Sequence, residues 1–510
     1  MKLVDSAQMR QADASAIEKY GIPGIVLMES AAEKAFVEIE KAMGGLKGKQ
    51  AVILCGPGNN GGDGYALARK LLLGGCGVMV HSVLPRAQLP EDTRINRIIC
   101  ENLGIPVHDG QNTQILAESI GKAHVTVDAL LGTGTMGPAK GWILSAICTA
   151  NVHAKFLVAL DVPSGLPVDG KPCEGECIHA HLTVCFGRGK AGLFSEPGFL
   201  YAGNIVVREI GIPSSAYPPS TFFAYDREQA LEHIRVRKEI SSKSDYGKVL
   251  VIAGSPGMTG AMSLCVEACI RSGAGVVYRL ALNAKMAAYD SKIREAVVLT
   301  EADGLLKACE GKDVLVIGPG LSPETKSHEI VREVLENTSM KIIADAQSLN
   351  DLASHKSILQ KARGRMILTP HPGEMARLTG KDIPFINANR MESAASFARE
   401  HGVVLVLKGH KTVTTDGRCL YLNTTGNPGM ATGGSGDVLS GMMGAYAAGG
   451  MDLLAAAGLS VYIHGSAGDR AAMKYGMTGL RAGDIMKQIA MTEKELYEEK
   501  TRPCMGGDQS

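Results

Sequence analysis

The feature that most limits what this chain can fold into is a beat of short apolar runs, each breaking on glycine or aspartate and followed by a helix-length segment. In the first half the runs are Ala51–Cys55, Val78–Val83, Val125–Val127, Phe156–Leu160 and Leu182–Phe186. Runs this short suit strands buried on both faces, and the spacers suit helical crossovers, so the beat predicts a parallel sheet. It restarts later with Val249–Ala253, Val314–Ile317, Lys341–Ala344, Met366–Thr369 and Val403–Leu407. The expected fold class is α/β, as two tandem domains, each a mainly parallel sheet flanked by helices. The halves share a class but neither motifs nor spacing, so this is no internal repeat.

Before the first run, Asp5 to Gln8 can open a helix as a capping box, and Ile25 to Ile39 reads as a second helix. Between the beats, Pro213, Pro218 and Pro219 precede a charged stretch without strong periodicity. The expected divisions are a domain over 1–213, a linker over 214–235, a domain over 236–495 and a tail over 496–510. The charged end from Glu493 is expected to fray.

Bulk properties exclude several partners. A net charge of +1 over 510 residues, with no run of like charges, gives no footprint for nucleic acid or anionic membrane. The N-terminal stretch lacks the continuous apolar core of a signal peptide, and no run reaches membrane-spanning length. Several of the twelve cysteines, such as Cys55, Cys185 and Cys265, sit inside apolar runs. That usage predicts a reducing, cytoplasmic setting. Cys173 and Cys177 have no second pair at finger-like distance, so no structural zinc is expected.

In parallel sheets ligands gather beyond the carboxyl ends of the strands, where the glycine-rich and acidic segments of this chain fall. The first run enters Gly56-Pro57-Gly58-Asn59-Asn60-Gly61-Gly62-Asp63-Gly64; the third ends on Asp128 and leads to Gly132–Pro138; the fourth ends on Asp161 before Pro163-Ser164-Gly165. In the second half, Gly433-Gly434-Ser435-Gly436-Asp437 opens a small-residue run, Val438 to Ala448. Glycines at a helix start leave N–H groups free at the positive end of the dipole, which is an anion site. An acid there needs a compensating use, such as taking a proton from a hydroxyl that attacks phosphorus. By itself the segment is equally a tight turn with Asp437 as a cap.

Context favours the anion site. Gly254-Ser255, Gly318-Pro319-Gly320, Pro370-His371-Pro372-Gly373-Glu374, Lys408-Gly409 with Thr412, Gly426-Asn427, Gly433–Asp437 and His464-Gly465 with Gly468-Asp469 follow one another across residues 230–495. Together they resemble the ADP/ATP-dependent NAD(P)H-hydrate dehydratases of the ribokinase-like superfamily. The resemblance implies that the nucleotide phosphorylates the hydroxyl of the hydrated nicotinamide ring and that phosphate then leaves, restoring NADH or NADPH. Asp437 would activate the hydroxyl, and the N–H groups from Gly434 to Asp437 would stabilise the transferred phosphate. It further implies that Lys408, Gly409, His410, Lys411, Thr412, Gly434, Ser435 and Gly436 hold ADP or ATP with magnesium. Ala261, Gly320, His371 and Asp437 would hold the hydrate. Two departures stand out: Ser244-Asp245-Tyr246-Gly247 replaces a usual His-Lys-Gly, and Gln347 replaces the second acid of a usual Asp-Ala-Asp at Asp345. No magnesium ligand is therefore assigned.

The asparagine-rich loop of the first half has neither the spacing nor the chemistry of a dinucleotide GxGxxG. With Gln8-Met9-Arg10, Asp13, Leu27-Met28-Glu29, Asp128, Asp161-Val162-Pro163-Ser164-Gly165-Leu166, Phe186-Gly187, Lys190 and Gly192, it resembles the NAD(P)H-hydrate epimerase domain, Rossmann-like in fold. The resemblance assigns Asn59, Asn60, Gly61, Gly62, Asp63, Gly132, Thr133, Gly134, Thr135, Met136, Gly137, Pro138 and Asp161 to the hydrate. It assigns Asn60, Asp128 and Ser164 to potassium, which suits hard oxygen donors. Inverting the hydroxyl-bearing carbon requires a group that moves protons, and Asp161 is the carboxylate best placed. The resemblance also implies a homo-oligomer. The alternative class is a small-molecule kinase of the thiazole or pyridoxal type with an N-terminal nucleotide-binding module; it leaves the first-half motifs without a role.

Overall fold

The computed structural model describes residues 1–134, 137–283, 286 and 294–502. By its contacts the chain divides into two compact units, Lys2–Phe222 and Phe223 onward together with Met1.

The first unit opens with α1 (Ser6–Ala14), which begins as the capping box read from the sequence: the Asp5 carboxylate accepts from the Gln8 N–H at 2.7 Å, and the Asp5 N–H donates to Gln8 Oε1 at 3.2 Å. After α2 (Gly24–Met43) come β1 (Gln50–Cys55), α3 (Asn59–Leu73), β2 (Gly77–Ser82), α4 (Glu91–Asn102), β3 (Val107–Asp109), α5 (Thr113–Lys122), β4 (Val125–Ala129), α6 (Gly141–His153), β5 (Leu157–Leu160), β6 (Leu182–Phe186) and β7 (Asn204–Arg208). The strands pair in the order β3-β2-β1-β4-β5-β6-β7, parallel throughout. The order reverses at β1 and β4, the switch point where such sheets leave a crevice at their carboxyl ends. Cores lie on both sheet faces. Ile53, Val127 and Leu160 pack with α2 and α3; Val52, Leu54 and Ala159 pack with α5 and α6. The alternation of side chains along a strand makes this split, so both registers of the runs had to be apolar.

The second unit contains β8 (Lys248–Ile252), α7 (Thr259–Arg271), β9 (Val276–Ala281), β10 (Val297–Thr300), β11 (Val314–Ile317), α8 (Ser327–Asn337), β12 (Lys341–Ala344), α9 (Gln347–Ser354), β13 (Met366–Leu368), α10 (Pro372–Thr379), α11 (Arg390–His401), β14 (Val404–Leu407), β15 (Val413–Thr415), β16 (Leu420–Asn423), α12 (Ser435–Ala448), α13 (Leu453–Tyr475) and α14 (Ala482–Thr501). Its order is β10-β9-β8-β11-β12-β13-β14-β15-β16, parallel through β14, with β15 and β16 antiparallel. Here the switch falls between β8 and β11. From Val438 to Ala448, α12 is buried throughout. Its glycines permit that depth, since a Cβ on Gly441 would lie 2.2 Å from the Cys265 carbonyl oxygen. Against the expected frayed end, α14 continues to Thr501, anchored by buried Ile489, Thr492 and Leu496. Residues 503–510 lie outside the described part. Among the described residues no helix is long and apolar enough to cross a membrane.

Candidate functional site

In the first unit the exits of β1, β4 and β5 converge. The Gly56 N–H donates to the Ala129 carbonyl at 2.9 Å, and a Cβ at Gly56 would overlap the Leu130 carbonyl oxygen at 1.6 Å. Only glycine allows this approach. A cavity of about 460 Å³ opens there, lined among others by Asn59, Asn60, Asp63, Gly132, Thr133, Gly134 and Asp161, and also by Arg10, Asp13 and Lys190. Gly61 and Gly62 instead face inward, toward the Gly56 carbonyl and the Met28 side chain. Gly137 and Pro138 line a separate cavity of about 210 Å³, which shares Gly132 and Thr133 with the first. Thr135 and Met136 lie outside the described residues.

Asp161 stands in the left-handed region, φ 66°, immediately after β5. Such backbone costs of order 1–3 kcal/mol and persists where surrounding contacts enforce it. Here they do: its N–H donates to the Val184 carbonyl at 2.8 Å, and its Oδ1 accepts from the Phe186 N–H at 3.2 Å and from Lys190 Nζ. Lys190 is wholly buried and also donates to the Phe186 carbonyl at 2.6 Å. Burial alone would lower the lysine's pKa; Asp161 outweighs it and holds it above the ordinary value. Asp13 is pushed up to about 6 by burial, with Lys190 opposing, and Asp63 is pushed well above the carboxylate range, first by burial and then by Asp161 and Asp13.

Behind this cavity the predicted potassium residues meet. Asp128 is fully buried; Oδ1 accepts from the Ser164 hydroxyl at 2.6 Å and the Leu130 N–H at 3.1 Å, Oδ2 from the Ser164 N–H at 2.8 Å. Burial, partly offset by these bonds, pushes it up to about 6. Asn60 donates through Nδ2 to the Leu131 carbonyl at 3.0 Å, while its buried Oδ1 has no hydrogen-bond partner.

In the second unit the switch-point crevice holds a cavity of about 450 Å³ lined by Gly257, Met258, Gly260, Ala261, Leu264, Gly320, Gly433, Gly434 and Asp437. Gly434 caps α12 at φ 89°, where a Cβ would come within 2.5 Å of Leu264. The first-turn N–H groups that follow lack intrahelical partners, as at any helix start. Burial and Asp345 push Asp437 up to about 6, with Lys408 opposing. Three of the four predicted hydrate residues thus share one cavity. The fourth, His371, does not line it. Its Nδ1 caps α10, accepting from the Gly373 and Glu374 N–H groups at 3.0 and 3.3 Å, while Glu374 Oε2 accepts from the His371 N–H at 2.8 Å.

Lys408 lies beside this cap. Its Nζ donates to Asp345 Oδ1 at 2.7 Å and sits 4.0 Å from Glu374 Oε2. The other Asp345 oxygen accepts from Ser440 of α12 at 2.7 Å. Burial would raise the Asp345 pKa; Lys408 and the hydroxyls outweigh it and hold the carboxyl below the usual range. Glu374 is pushed up to about 7 by burial, with Lys408 opposing. Of the remaining nucleotide candidates, Gly409 to Thr412 form the β14–β15 turn, with the Thr412 hydroxyl on the Gly409 carbonyl at 2.8 Å; the Ser435 hydroxyl lies 3.4 Å from His464 Nε2; and Gly436 faces Lys408 and Asp345. Asp469 fixes the neighbouring loop, accepting from the Gly426 N–H at 2.9 Å and Asn427 Nδ2 at 2.8 Å. Sequence reasoning gave no role to Asp345, Glu374, Ser440 or Asp13. The available signal was an acid at the end of β12 and another three residues after His371.

An acid with no side-chain partner among the described residues at a glycine-rich helix start over a parallel sheet, with a half-buried lysine behind it, fits a class: enzymes that bind an anionic group at a helix N-terminus and move a proton beside it. Comparison makes this specific. The family model described as NAD(P)H-hydrate dehydratase matches residues 249–491, and that of the YjeF-related protein N-terminus matches 24–192. A bifunctional NAD(P)H-hydrate repair enzyme Nnr from Moorella thermoacetica is 38% identical over 98% of each chain, and one from Thermofilum pendens is 32% identical over 98% of this chain and 97% of its own. The chain belongs to the family of bifunctional NAD(P)H-hydrate repair enzymes. Among solved structures, an ADP/ATP-dependent NAD(P)H-hydrate dehydratase from Bacillus subtilis, co-crystallised with ATP and magnesium, is 28% identical, covers 54% of this chain and 98% of its own, and has a TM-score of 0.47.

Proposed function

We infer that the chain repairs hydrated nicotinamide dinucleotides in two steps: the first unit interconverts the two hydrate epimers, and the second dehydrates one of them using ADP or ATP. The observation that carries this is the pairing of two carboxylates, Asp161 and Asp437, each lining a ligand-sized cavity at the switch point of its own sheet. Two relatives that match over 98% of this chain are named bifunctional NAD(P)H-hydrate repair enzymes, which supports a two-step reading.

In the dehydratase unit, Asp437 takes the proton of the ring hydroxyl as that oxygen attacks the terminal phosphorus. With its pKa near 6 it is ionised at neutral pH and still basic enough to accept a proton. The N–H groups at the start of α12 meet the charge on the transferred phosphate. Phosphate is a weaker base than hydroxide, so its departure restores the reduced ring. Lys408 moderates the charge between Asp345 and Asp437. Among the described residues no group of three His, Cys, Asp or Glu side chains is arranged to hold a metal. Asp345 is already committed to Lys408, Ser440 and the Ala346 N–H. Magnesium therefore fits as a passenger on the nucleotide's phosphates, the usual way that ion is bound, and no step here runs through protein-held metal.

In the epimerase unit, Asp161 is the base that accepts the hydroxyl proton, oriented by Lys190. The residues predicted for potassium fit it: the Asn60 Oδ1 is a buried acceptor without a donor, and the Asp128 carboxyl is buried with no cationic side chain bonded to it. Asn60, Asp128 and Ser164 would hold the ion, which would neutralise Asp128 and tie the exits of β1, β4 and β5 together. Recovery of reduced-nicotinamide absorbance from a mixture of both hydrate epimers, with magnesium, potassium and ADP or ATP, tests the reading. Complete recovery, faster than spontaneous epimerisation, is expected. Recovery of one epimer alone would remove the epimerase; none with either nucleotide would leave a kinase of another substrate.

A further inference from the structure

The epimerase cavity holds more carboxyl groups than one base requires. Asp13, Asp63 and Asp161 all line it, with Lys190 and Arg10. The lysine's ammonium is committed to Asp161 and the Phe186 carbonyl. Asp63 has no salt bridge or hydrogen bond from any described side chain, although it lies near the start of α3, just past the first turn, and lines the same space. We propose that Asp63 is the general acid of the epimerase, donating a proton to the substrate while Asp161 removes one.

The geometry leaves little alternative for this carboxyl. A second negative charge beside Asp161, in the cavity wall and without a cation bonded to it, is disfavoured, so the group keeps its proton. The groups facing it are Asp161 after β5, Asp13 and Arg10 on α1, Lys190, and the Cys55 thiol at the end of β1. Two of these are carboxyls that oppose its ionisation. Burial acts in the same direction, and the pKa lies well above the ordinary value. A carboxyl that keeps its proton beside a carboxylate bonded to Lys190 divides the roles of acid and base between the two.

The chemistry requires both. In the hydrate the carbon that inverts carries the hydroxyl and the ring nitrogen. Asp161 takes the hydroxyl proton, the oxygen's electron pair forms a carbonyl, and the carbon–nitrogen bond breaks with its pair moving to nitrogen. Nitrogen then takes the Asp63 proton. The open-chain aldehyde rotates about its neighbouring carbon–carbon bond and presents its other face. In closure nitrogen returns its proton to Asp63 and attacks the carbonyl carbon, whose oxygen recovers the proton held by Asp161. Both carboxyls end as they began, and no oxidant, reductant or added water is consumed. Without an acid the departing nitrogen would leave as an anion.

This assignment rests on Asp161 as the base, and the test separates the two. Full-length D63N, D161N and D13N proteins would be given one pure hydrate epimer without nucleotide, and interconversion followed by chromatography. General acid catalysis is worth about 10²–10⁴-fold, so D63N is expected to lose at least about a hundredfold in kcat with KM changed only a few-fold. Dehydratase turnover of the same preparation with its preferred epimer should stay at the wild-type rate. Full epimerase activity in D63N with D161N inactive overturns the acid and leaves the base; activity in both overturns both. Loss in D13N with D63N active moves the acid to Asp13 and overturns the proposal. Should D63N fail to fold, the wild-type pH profile decides. The acid requires kcat/KM to fall at high pH, and a rate level into the alkaline range overturns it.

Discussion

The two sites share one element, an aspartate lining a cavity at the mouth of a parallel sheet, with the lysine in a different place. In the first unit Lys190 is bonded directly to Asp161, and the left-handed backbone at that residue holds the carboxylate in one orientation. In the second, Lys408 is bonded to the neighbour, Asp345, and Asp437 is left with no side-chain partner among the described residues. The difference suits the tasks we propose for them. A residue that must address one ring atom from a fixed position gains from a rigid counter-ion. A base beside an incoming polyphosphate gains from a raised pKa, and a cation one residue away keeps that pKa from climbing too far. A buried ion pair is in itself weak evidence for stability, so the placement of these lysines reads as positioning.

Replacing either aspartate is the strongest way to break the comparison. D437N is expected to lower dehydratase kcat by about 10²–10⁴-fold and leave epimer interconversion at the wild-type rate, with D161N showing the converse; steady-state assays of each step separately check this. A variant that lost both activities would mean that the sites are not independent. Next in size is K190M. It leaves a largely buried carboxylate unpaired, and thermal or urea unfolding should show a loss of about 3–5 kcal/mol in the first unit.

A subtler effect concerns pH. As the proposed base, Asp437 must be ionised to accept a proton, and burial pushes its pKa up to about 6, so dehydratase kcat/KM should fall as pH drops through about 6. Lys408 lowers that pKa, so in K408M the acid limb should move to higher pH. A limb that stays in place would detach Lys408 from the base. Smallest is the cap of α1: D5A should cost about 1 kcal/mol of stability, measured by the same unfolding, without changing either activity.

Much of this was legible in the sequence, because the strongest signals are local. The apolar runs became strands, and the glycine loops fell at their carboxyl ends, since a buried parallel strand must be apolar on both faces and its exit must turn tightly. The elements missed include β9, Val276–Ala281, whose mostly apolar run carries Arg279 inside it, and others with weak local signals. Val297–Thr300 is an edge strand with mostly exposed side chains, and Val413–Thr415 has three residues in an antiparallel return. The network of Asp345, Glu374, Lys408 and Ser440 joins four elements spread over 95 residues, and no spacing rule announces such a meeting. His371 illustrates the reverse: its cap with Glu374 is a short-range motif, yet the sequence reading passed over it for the ligand role. The isolation of Asp63 is also tertiary, because its neighbours come from α1, the β5 exit and Lys190.

The central claim is that one chain carries two separate aspartate-centred sites acting in succession. Its most direct test mixes purified D161N and D437N proteins, with magnesium, potassium and ADP or ATP, and supplies only the hydrate epimer that the dehydratase does not use. Neither variant alone should restore reduced-nicotinamide absorbance faster than spontaneous epimerisation permits, and the mixture should do so at a rate that rises with the amount of D437N added. A mixture no faster than D161N alone would contradict the account.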